Sequence, residues 1–448
     1  MKSGKLRILL CSENVSPQLN GVARRVGEYE KAYLQNGHNV DVLHPYCTGK
    51  TWTLPHPWNS NAAMMMIRPM YFLNLVLSDV CKYDVIHAVL PLNFSGAWIL
   101  AATEILRALD YSSRQKKYPA LVISYHLNAA DYIDVYSPPV IRDFQKILMF
   151  QCLSRVLPLI SDRVLAPTHS TEPRLLKLWP MKRRGICHTG ISSDFCPAAV
   201  RGSHGQNWLT KKEDFLKKTG KKHLLLCVGR LAPEKGILQL LEALPILSQS
   251  CALWIVGDGP FRSQAEEYVS AHKLPVEFLG YQRNEALYSV YGAADCFVCP
   301  SQTETYGQVV QEALATGARV TLPRVPQFVE AYEKLLDKSA WWEPNDTLSM
   351  VGAIDSQVQL GPLSDKNKDK ARSMLMTWSE ASDAMLLEYA EALKVAQNDK
   401  KKLNAVQVIA VLLWILVTLI VNSLGQLVYN LANMFSNVVS KPRFYLKQ

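Results

Sequence analysis

Leu224-Leu225-Leu226-Cys227-Val228-Gly229-Arg230-Leu231-Ala232-Pro233-Glu234-Lys235-Gly236 reads as a buried strand, a glycine turn and the start of a helix. In open α/β sheets, ligands bind beyond the carboxyl ends of the strands. Arg230 and Lys235 would hang at that edge, where two cations suit a diphosphate. An ordinary charged surface turn could carry the same residues, so this segment alone leaves both readings open. Downstream, Ala252-Leu253-Trp254-Ile255-Val256-Gly257-Asp258-Gly259-Pro260 repeats the apolar strand and the glycine turn.

A third strand, Cys296-Phe297-Val298-Cys299, leads to Ser301 and then to Thr303-Glu304-Thr305-Tyr306-Gly307-Gln308-Val309-Val310-Gln311-Glu312-Ala313-Leu314-Ala315. Here a loop delivers Glu304, and a helix beginning near Gly307 carries Glu312 just over one turn inward. Both carboxylates can then face one polyhydroxylated ligand, because a carboxylate accepts hydrogen bonds from two adjacent hydroxyls. The helix N-terminus offers unpaired N–H groups to a phosphate. Two carboxylates at this spacing also arise on solvated helix faces. Three strand ends with basic, turn and acidic chemistry together suggest a nucleotide-sugar cleft.

The first half has the same grammar. Apolar strands at 6–11, 40–43, 85–89, 121–125 and 163–167 alternate with helical stretches, a doubly wound α/β pattern. Pro17-Gln18-Leu19-Asn20-Gly21-Val22 follows the first strand and opens a helix through Arg24, Arg25 and Glu28. Gly21 there lets backbone approach a ligand phosphate. His126 ends the strand at 121–125, where a lone histidine is commonly a structural residue. The expected organisation is a first Rossmann-like domain at 1–195 and a polar, basic linker at 196–222. A second Rossmann-like domain at 223–378, a helix at 379–399 returning to the first domain and an apolar helix at 404–428 complete it.

A length of 448 residues allows two or three domains, each with a substantial core. The net charge of +10 is spread over short clusters such as Lys182/Arg183/Arg184 and Lys211/Lys212, not drawn into a nucleic-acid-binding stripe. Such clusters are solvated faces or, near anionic headgroups, attractions of about 1 kcal/mol per residue. The ten cysteines lie mostly inside apolar runs, as small core residues do in a reducing compartment. Cys296 and Cys299 fall on opposite faces of a strand, which argues against a redox or zinc pair. The first strand begins almost at once, so no cleavable signal or transit peptide is expected. Residues 405–421 form an apolar run broken only by Gln407 and Thr418. Extended to Val428, it reaches the roughly 20 residues that span a bilayer, the alternative being a helix lying in the interface. Lys400, Lys401 and Lys402 precede it, which puts the catalytic side in the cytosol.

The 228–236 string, the Gly257-Asp258-Gly259 turn and the Glu304/Glu312 pair resemble the retaining, nucleotide-sugar-dependent glycosyltransferases of family 4, over about residues 5–395. Within that family, Val85-Ile86-His87-Ala88, Ser124-Tyr125-His126 and Cys299-Pro300-Ser301-Gln302-Thr303-Glu304-Thr305 are similar to the sulfolipid synthases (sulfoquinovosyltransferases). Lipid-mannosylating members carry nearly the same strings. The resemblance implies the GT-B fold, an α/β architecture of two doubly wound Rossmann-like domains facing a cleft. It implies Arg230 and Lys235 on the donor diphosphate, Glu304 on hydroxyls of the donor sugar and Glu312 on the nucleotide ribose. Gly21 would make backbone contact with the phosphates and His126 would lie near the transferring sugar. No metal or other cofactor is implied, because side chains and helix dipoles neutralise the leaving diphosphate. The implied partners are a nucleotide-diphosphate sugar, a lipid acceptor and a membrane, with no nucleic acid. The sharpest version moves sulfoquinovose from UDP-sulfoquinovose to diacylglycerol; the alternative is mannose onto a lipid. A membrane-anchored non-catalytic relative is a separate class, against which the intact set Arg230, Lys235, Glu304 and Glu312 speaks. Two departures bear on donor choice. The family's Gly-Gly is absent from Leu322-Pro323-Arg324-Val325-Pro326-Gln327-Phe328, and Ser192 stands where an aspartate is common after Gly190.

Overall fold

The computed structural model describes residues 4–398 except 19, 57–58, 91–94, 110–116, 127–141, 144–145, 148–155, 158, 172–182, 197–202 and 248, together with 407, 411 and 413. The first half builds β1 (Arg7–Ser12), β2 (Asn39–Leu43), β3 (Thr51–His56), β4 (Asn59–Ile67), β5 (Val85–Leu90), β6 (Ala120–Tyr125), β7 (Arg163–Ala166) and β8 (Arg184–Ile186). The second builds β9 (His223–Val228), β10 (Cys251–Val256), β11 (Val276–Gly280), β12 (Cys296–Val298), β13 (Arg319–Pro323) and β14 (Trp341–Trp342). They form two six-stranded sheets, ordered β2-β1-β5-β6-β7-β8 and β11-β10-β9-β12-β13-β14, with every described pairing in them parallel. The strand order reverses between β1 and β5 in one sheet and between β9 and β12 in the other. At such reversals the flanking loops diverge and leave a crevice at the carboxyl edge. β3 and β4 pair as an antiparallel hairpin outside both sheets, an element the apolar-run pattern does not announce.

The helices used below are α1 (Gly21–Gln35), α2 (Ser95–Leu109), α3 (Ser203–Thr219), α4 (Gln308–Thr316), α5 (Pro326–Tyr332) and α6 (Trp378–Asn398). The segment expected as a linker at 196–222 contains α3. Its Trp208, Leu209, Phe215 and Leu216 pack onto the second-domain core at helical spacing. Its lysines mask that stripe in the sequence, yet Lys212 contacts Asp295 at 2.6 Å and Lys211 lies 5.1 Å from the Trp208 ring. Where the Gly-Gly is missing, β13 ends at Pro323 and α5 starts at Pro326, whose ring pre-sets the first helical turn.

Each sheet is covered by two apolar layers. One layer on the first sheet comes from the far end of the chain. Trp378, Ala381, Met385, Tyr389 and Ala392 of α6 recur every three or four residues and pack with Ile8, Leu10, Val26 and Tyr33. The two chain crossings between the domains lie side by side. The Ile191 N–H donates to the Met376 carbonyl at 2.8 Å, and Ile191 bridges Thr377. A Cβ on Gly190 would stand 2.5 Å from the Trp378 backbone, so only glycine fits that crossing.

Among the described residues no helix is long and apolar enough to cross a membrane. The apolar helix expected at 404–428 lies outside the described residues apart from Gln407, Val411 and Leu413. Of these, Val411 is buried in the first-domain cluster that contains Leu75, Ile99 and Leu100. Cys11, Cys227, Cys296 and Cys299 are buried free thiols. Burial pushes the Cys11 and Cys227 thiols up to about 12, which makes them inert core residues.

Candidate functional site

The second-domain wall is built from the ends of β9 and β12. Gly229 and Gly257 pack so closely that a Cβ on Gly257 would sit 1.9 Å from the Gly229 carbonyl oxygen, which explains the paired glycine turns. A single 3-10 turn, Pro233–Lys235, follows and is closed by Gly236 in the left-handed conformation at φ +70. It is stitched to the β12 loop by the Thr303 hydroxyl, which donates to the Glu234 carbonyl at 3.1 Å. Lys235 Nζ then meets Glu304 Oε1 at 2.6 Å, and Arg230 pairs with the buried Glu234. The cation and carboxylate that the sequence puts on separate strand ends thus converge at the β9/β12 reversal.

Gly307, at φ +78, opens α4; a Cβ there would strike the Phe328 ring. One turn in, Glu312 is buried. Its Oε2 accepts from the Tyr291 hydroxyl at 2.9 Å and its Oε1 from Arg24 Nη1 of the first domain at 2.5 Å. Burial pushes the Glu312 carboxyl above its ordinary range, with Arg24 and Tyr291 opposing. Arg24 also lies over the Phe195 ring at 5.0 Å. Gly21 begins α1, whose cap is Asn20 accepting from the Ala23 N–H at 2.8 Å. A Cβ on Gly21 would stand 3.0 Å from Gln308 Oε1, so the N-termini of α1 and α4 face each other. Two such termini, each with unpaired N–H groups and a partial positive charge, suit an anion.

On the first-domain wall, His126 lies just beyond β6, and its ring turns inward. Nδ1 meets Arg25 Nη1, and Nε2 meets Ser124 Oγ at 2.8 Å. The part of His126 that faces the second domain is its carbonyl, which accepts from the Thr305 hydroxyl at 3.3 Å. Both ring nitrogens are engaged within the first domain, and a place for this imidazole beside the transferring sugar belongs to the proposal below. Burial, then Arg25, then His87 push this imidazole well below the ordinary histidine range, so it is neutral. Arg25 also bonds Thr189 Oγ1, and the Thr189 carbonyl accepts from Gln311 Nε2 of α4 at 3.3 Å. A further seam joins the His169 and Ser170 N–H groups to the Glu330 carboxylate of α5 at 2.7 Å each. Thr189, Gln311, Ser124 and His87 escape a reading based on strand ends. Their signal is a polar residue inside an apolar run, as with His87 in β5 and Ser124 in β6.

Residues 210–374 match the family model described as "Glycosyl transferases group 1". A GDP-mannose-dependent alpha-mannosyltransferase of Mycolicibacterium smegmatis is 32% identical over 338 residues, covering 71% of this chain and 80% of that protein. The sulfoquinovosyl transferase of Arabidopsis thaliana is 26% identical over 256 residues, which is 56% of this chain and only 44% of that protein's length. Among solved structures, the sucrose-phosphate synthase of Thermosynechococcus elongatus superposes with a TM-score of 0.61 at 20% identity, over 87% of this chain and all of that one. The shared architecture of two facing parallel sheets is the GT-B fold.

Proposed function

The chain belongs to the group 1 glycosyl transferases, and from that membership we propose that it moves a sugar from a nucleotide-diphosphate donor to a membrane lipid with retention of configuration. The observation that carries this reading is the Lys235–Glu304 pair at the β9/β12 reversal, 2.6 Å apart and partly open to solvent. A bound donor exchanges that contact for two better ones. The diphosphate takes Lys235 and Arg230, and the sugar hydroxyls take Glu304. The α4 N-terminus adds N–H donors to the phosphate, and the ribose approaches Glu312 beside Arg24. The bond from the anomeric carbon to the diphosphate oxygen then breaks, a bond to the acceptor hydroxyl oxygen forms on the same face, and the hydroxyl proton passes to the departing diphosphate oxygen. Charge building on the leaving diphosphate is met by Arg230, Lys235 and the helix dipole. This set does the neutralising that a metal ion would otherwise do, so we propose a metal-independent reaction.

Sulfoquinovose from UDP-sulfoquinovose onto diacylglycerol is the sharpest form of the proposal, supported by the likeness to the plant sulfoquinovosyl transferase. A mannosyl donor is the second reading, favoured by the mycobacterial relative, whose length the chain covers more fully. The decisive assay incubates purified full-length protein with radiolabelled UDP- and GDP-sugars and total lipid extract, and identifies the labelled product. Label in a lipid names the donor. Nucleotide binding with no transfer from any donor would reduce the chain to a non-catalytic relative.

Membrane association through 404–428, with the catalytic domains on the cytosolic side, belongs to the same proposal and rests on the apolar composition of that run. Deleting 404–448 is expected to release the protein from lipid vesicles in flotation and to lower activity on bilayer lipid more than on a short-chain acceptor. A deletion variant that still floats would shift the attachment to the basic clusters.

A further inference from the structure

A line of buried side chains runs from α6 to the cleft. The Tyr33 hydroxyl donates to Tyr389 Oη at 3.4 Å, and Tyr389 Oη lies 2.8 Å from His87 Nδ1. His87 Nε2 lies 2.8 Å from Ser124 Oγ, which is itself 2.8 Å from His126 Nε2. His126 Nδ1 meets Arg25. Ser124, His87 and Tyr389 are at most 1% exposed, and His126 and Arg25 are 6% exposed.

The polarity of the line is fixed from both ends. A guanidinium only donates, so His126 Nδ1 must accept and its proton sits on Nε2, pointing at Ser124. At the other end Tyr389 accepts from Tyr33, which leaves its own hydrogen for His87 Nδ1. The His87 proton is then on Nε2, also pointing at Ser124. The Ser124 oxygen has the lone pairs to accept both. Neutral rings are required throughout, and burial holds His87 down at about 3.

We propose that His87 is a positioning residue for the donor cleft: seated by Tyr389, it acts through Ser124 and His126 to hold Arg25, and with it α1, against the second domain. Three observations take the line beyond mere satisfaction of buried atoms. It starts on a helix drawn from the far end of the chain. It ends on Arg25, whose neighbour Arg24 grips Glu312. Arg25's other partner, Thr189, is bonded through its carbonyl to Gln311 of α4. The line therefore sets how the N-termini of α1 and α4 face each other, and on this point it rests on the proposed donor site.

The test uses the full chain and two readouts. Long-range proton–nitrogen correlation spectra of histidine-labelled protein are expected to give both His87 and His126 as Nε2–H tautomers. In Tyr389→Phe the His87 pattern should become mixed. Calorimetry with UDP and GDP should find the tighter of the two bound roughly five- to tenfold more weakly by His87→Ala, the size expected for one or two lost buried hydrogen bonds. His87→Gln, which keeps an N–H donor toward Ser124, should recover to within about threefold of wild type on the same scale. An Nδ1–H tautomer at His87 in the wild type would overturn the proposal. So would His87→Ala binding as tightly as wild type while its melting temperature falls, the mark of a merely structural residue. Arg230→Ala is the control. If it leaves nucleotide binding untouched, the donor site itself is wrong; if it weakens binding and His87→Ala does not, only the positioning role fails.

Discussion

His126 and Arg25 on the first-domain wall are each 6% exposed and engage buried hydrogen-bonding partners, whereas the Lys235 and Glu304 side chains of the second-domain wall are 20% and 21% exposed and form an ion pair. An ion pair at the edge of solvent contributes little net stability, so a ligand of matching charge can take over either partner cheaply. The buried line offers no such exchange. Opening it strands donors and acceptors away from water at about 1–3 kcal/mol each. On the proposed donor site, the second-domain wall binds and the first shapes. The contrast also explains why the charged residues stand out in the sequence and the shaping ones do not.

The largest effect should come from Glu304→Gln. Losing a charged acceptor at the reacting centre raises the barrier by about 2–4 kcal/mol. Melting temperature and nucleotide affinity should stay near wild type, because Glu304 has no core partner to abandon. The assay is transfer of the labelled sugar to lipid; a variant retaining more than half the rate would remove Glu304 from the donor site and collapse the contrast.

Next come Arg230→Ala and Lys235→Ala, each expected to weaken nucleoside diphosphate binding by about 1.5–3 kcal/mol. The double variant should cost less than the sum, since both cations address one diphosphate. EDTA should leave the calorimetric values unchanged. Strict additivity would separate the two cations, and loss of binding in EDTA would overturn the metal-independent reading.

The smallest effect tests the first domain away from the cleft. Glu104 of α2 is buried beside Arg107 and Asp162, and burial pushes its carboxyl up to about 7. A carboxyl whose folded value lies above its unfolded value of about 4.5 stabilises the fold fully below that pH, and the contribution is lost as pH rises through 7. Glu104→Gln cannot ionise, so its unfolding free energy should gain on wild type between pH 5 and pH 8, by about 2 kcal/mol, with a matching rise in melting temperature. Nucleotide binding should not change. A gain that ran the other way, toward low pH, would mean that Glu104 is charged in the folded protein and held by Arg107.

Much of the architecture can be read in the chain. An apolar run closed by glycine, as at 224–229 and 252–257, has few folds open to it, and β9 and β10 lie there. The position of His126 after β6 and of Glu312 inside α4 follow from the same pattern. What those side chains touch does not. The orientation of the His126 ring is decided by Arg25, and the partner of Glu312 is Arg24; both lie on α1, more than 100 residues away in sequence. Local pattern carries no record of such pairs. Helix α3 escapes for a different reason. Four apolar side chains suffice to dock it, and they are outnumbered by polar residues facing water.

The double crossing at Ile191 and Thr377 turns the molecule into a lever. Two chain segments bonded side by side make one pivot, and Gly190 packed on the Trp378 backbone leaves that pivot no slack to slide. Its location is fixed, so a rotation about it would displace each contact in proportion to its distance from the axis. Contacts that span the gap include Arg24 with Glu312, Glu330 with the His169 and Ser170 amides, Thr305 with the His126 carbonyl and Gln311 with the Thr189 carbonyl; all are polar and can part and re-form in water. A Gly190→Ala change would move the fulcrum itself, and these gap-spanning contacts would be misaligned at once by a single methyl group.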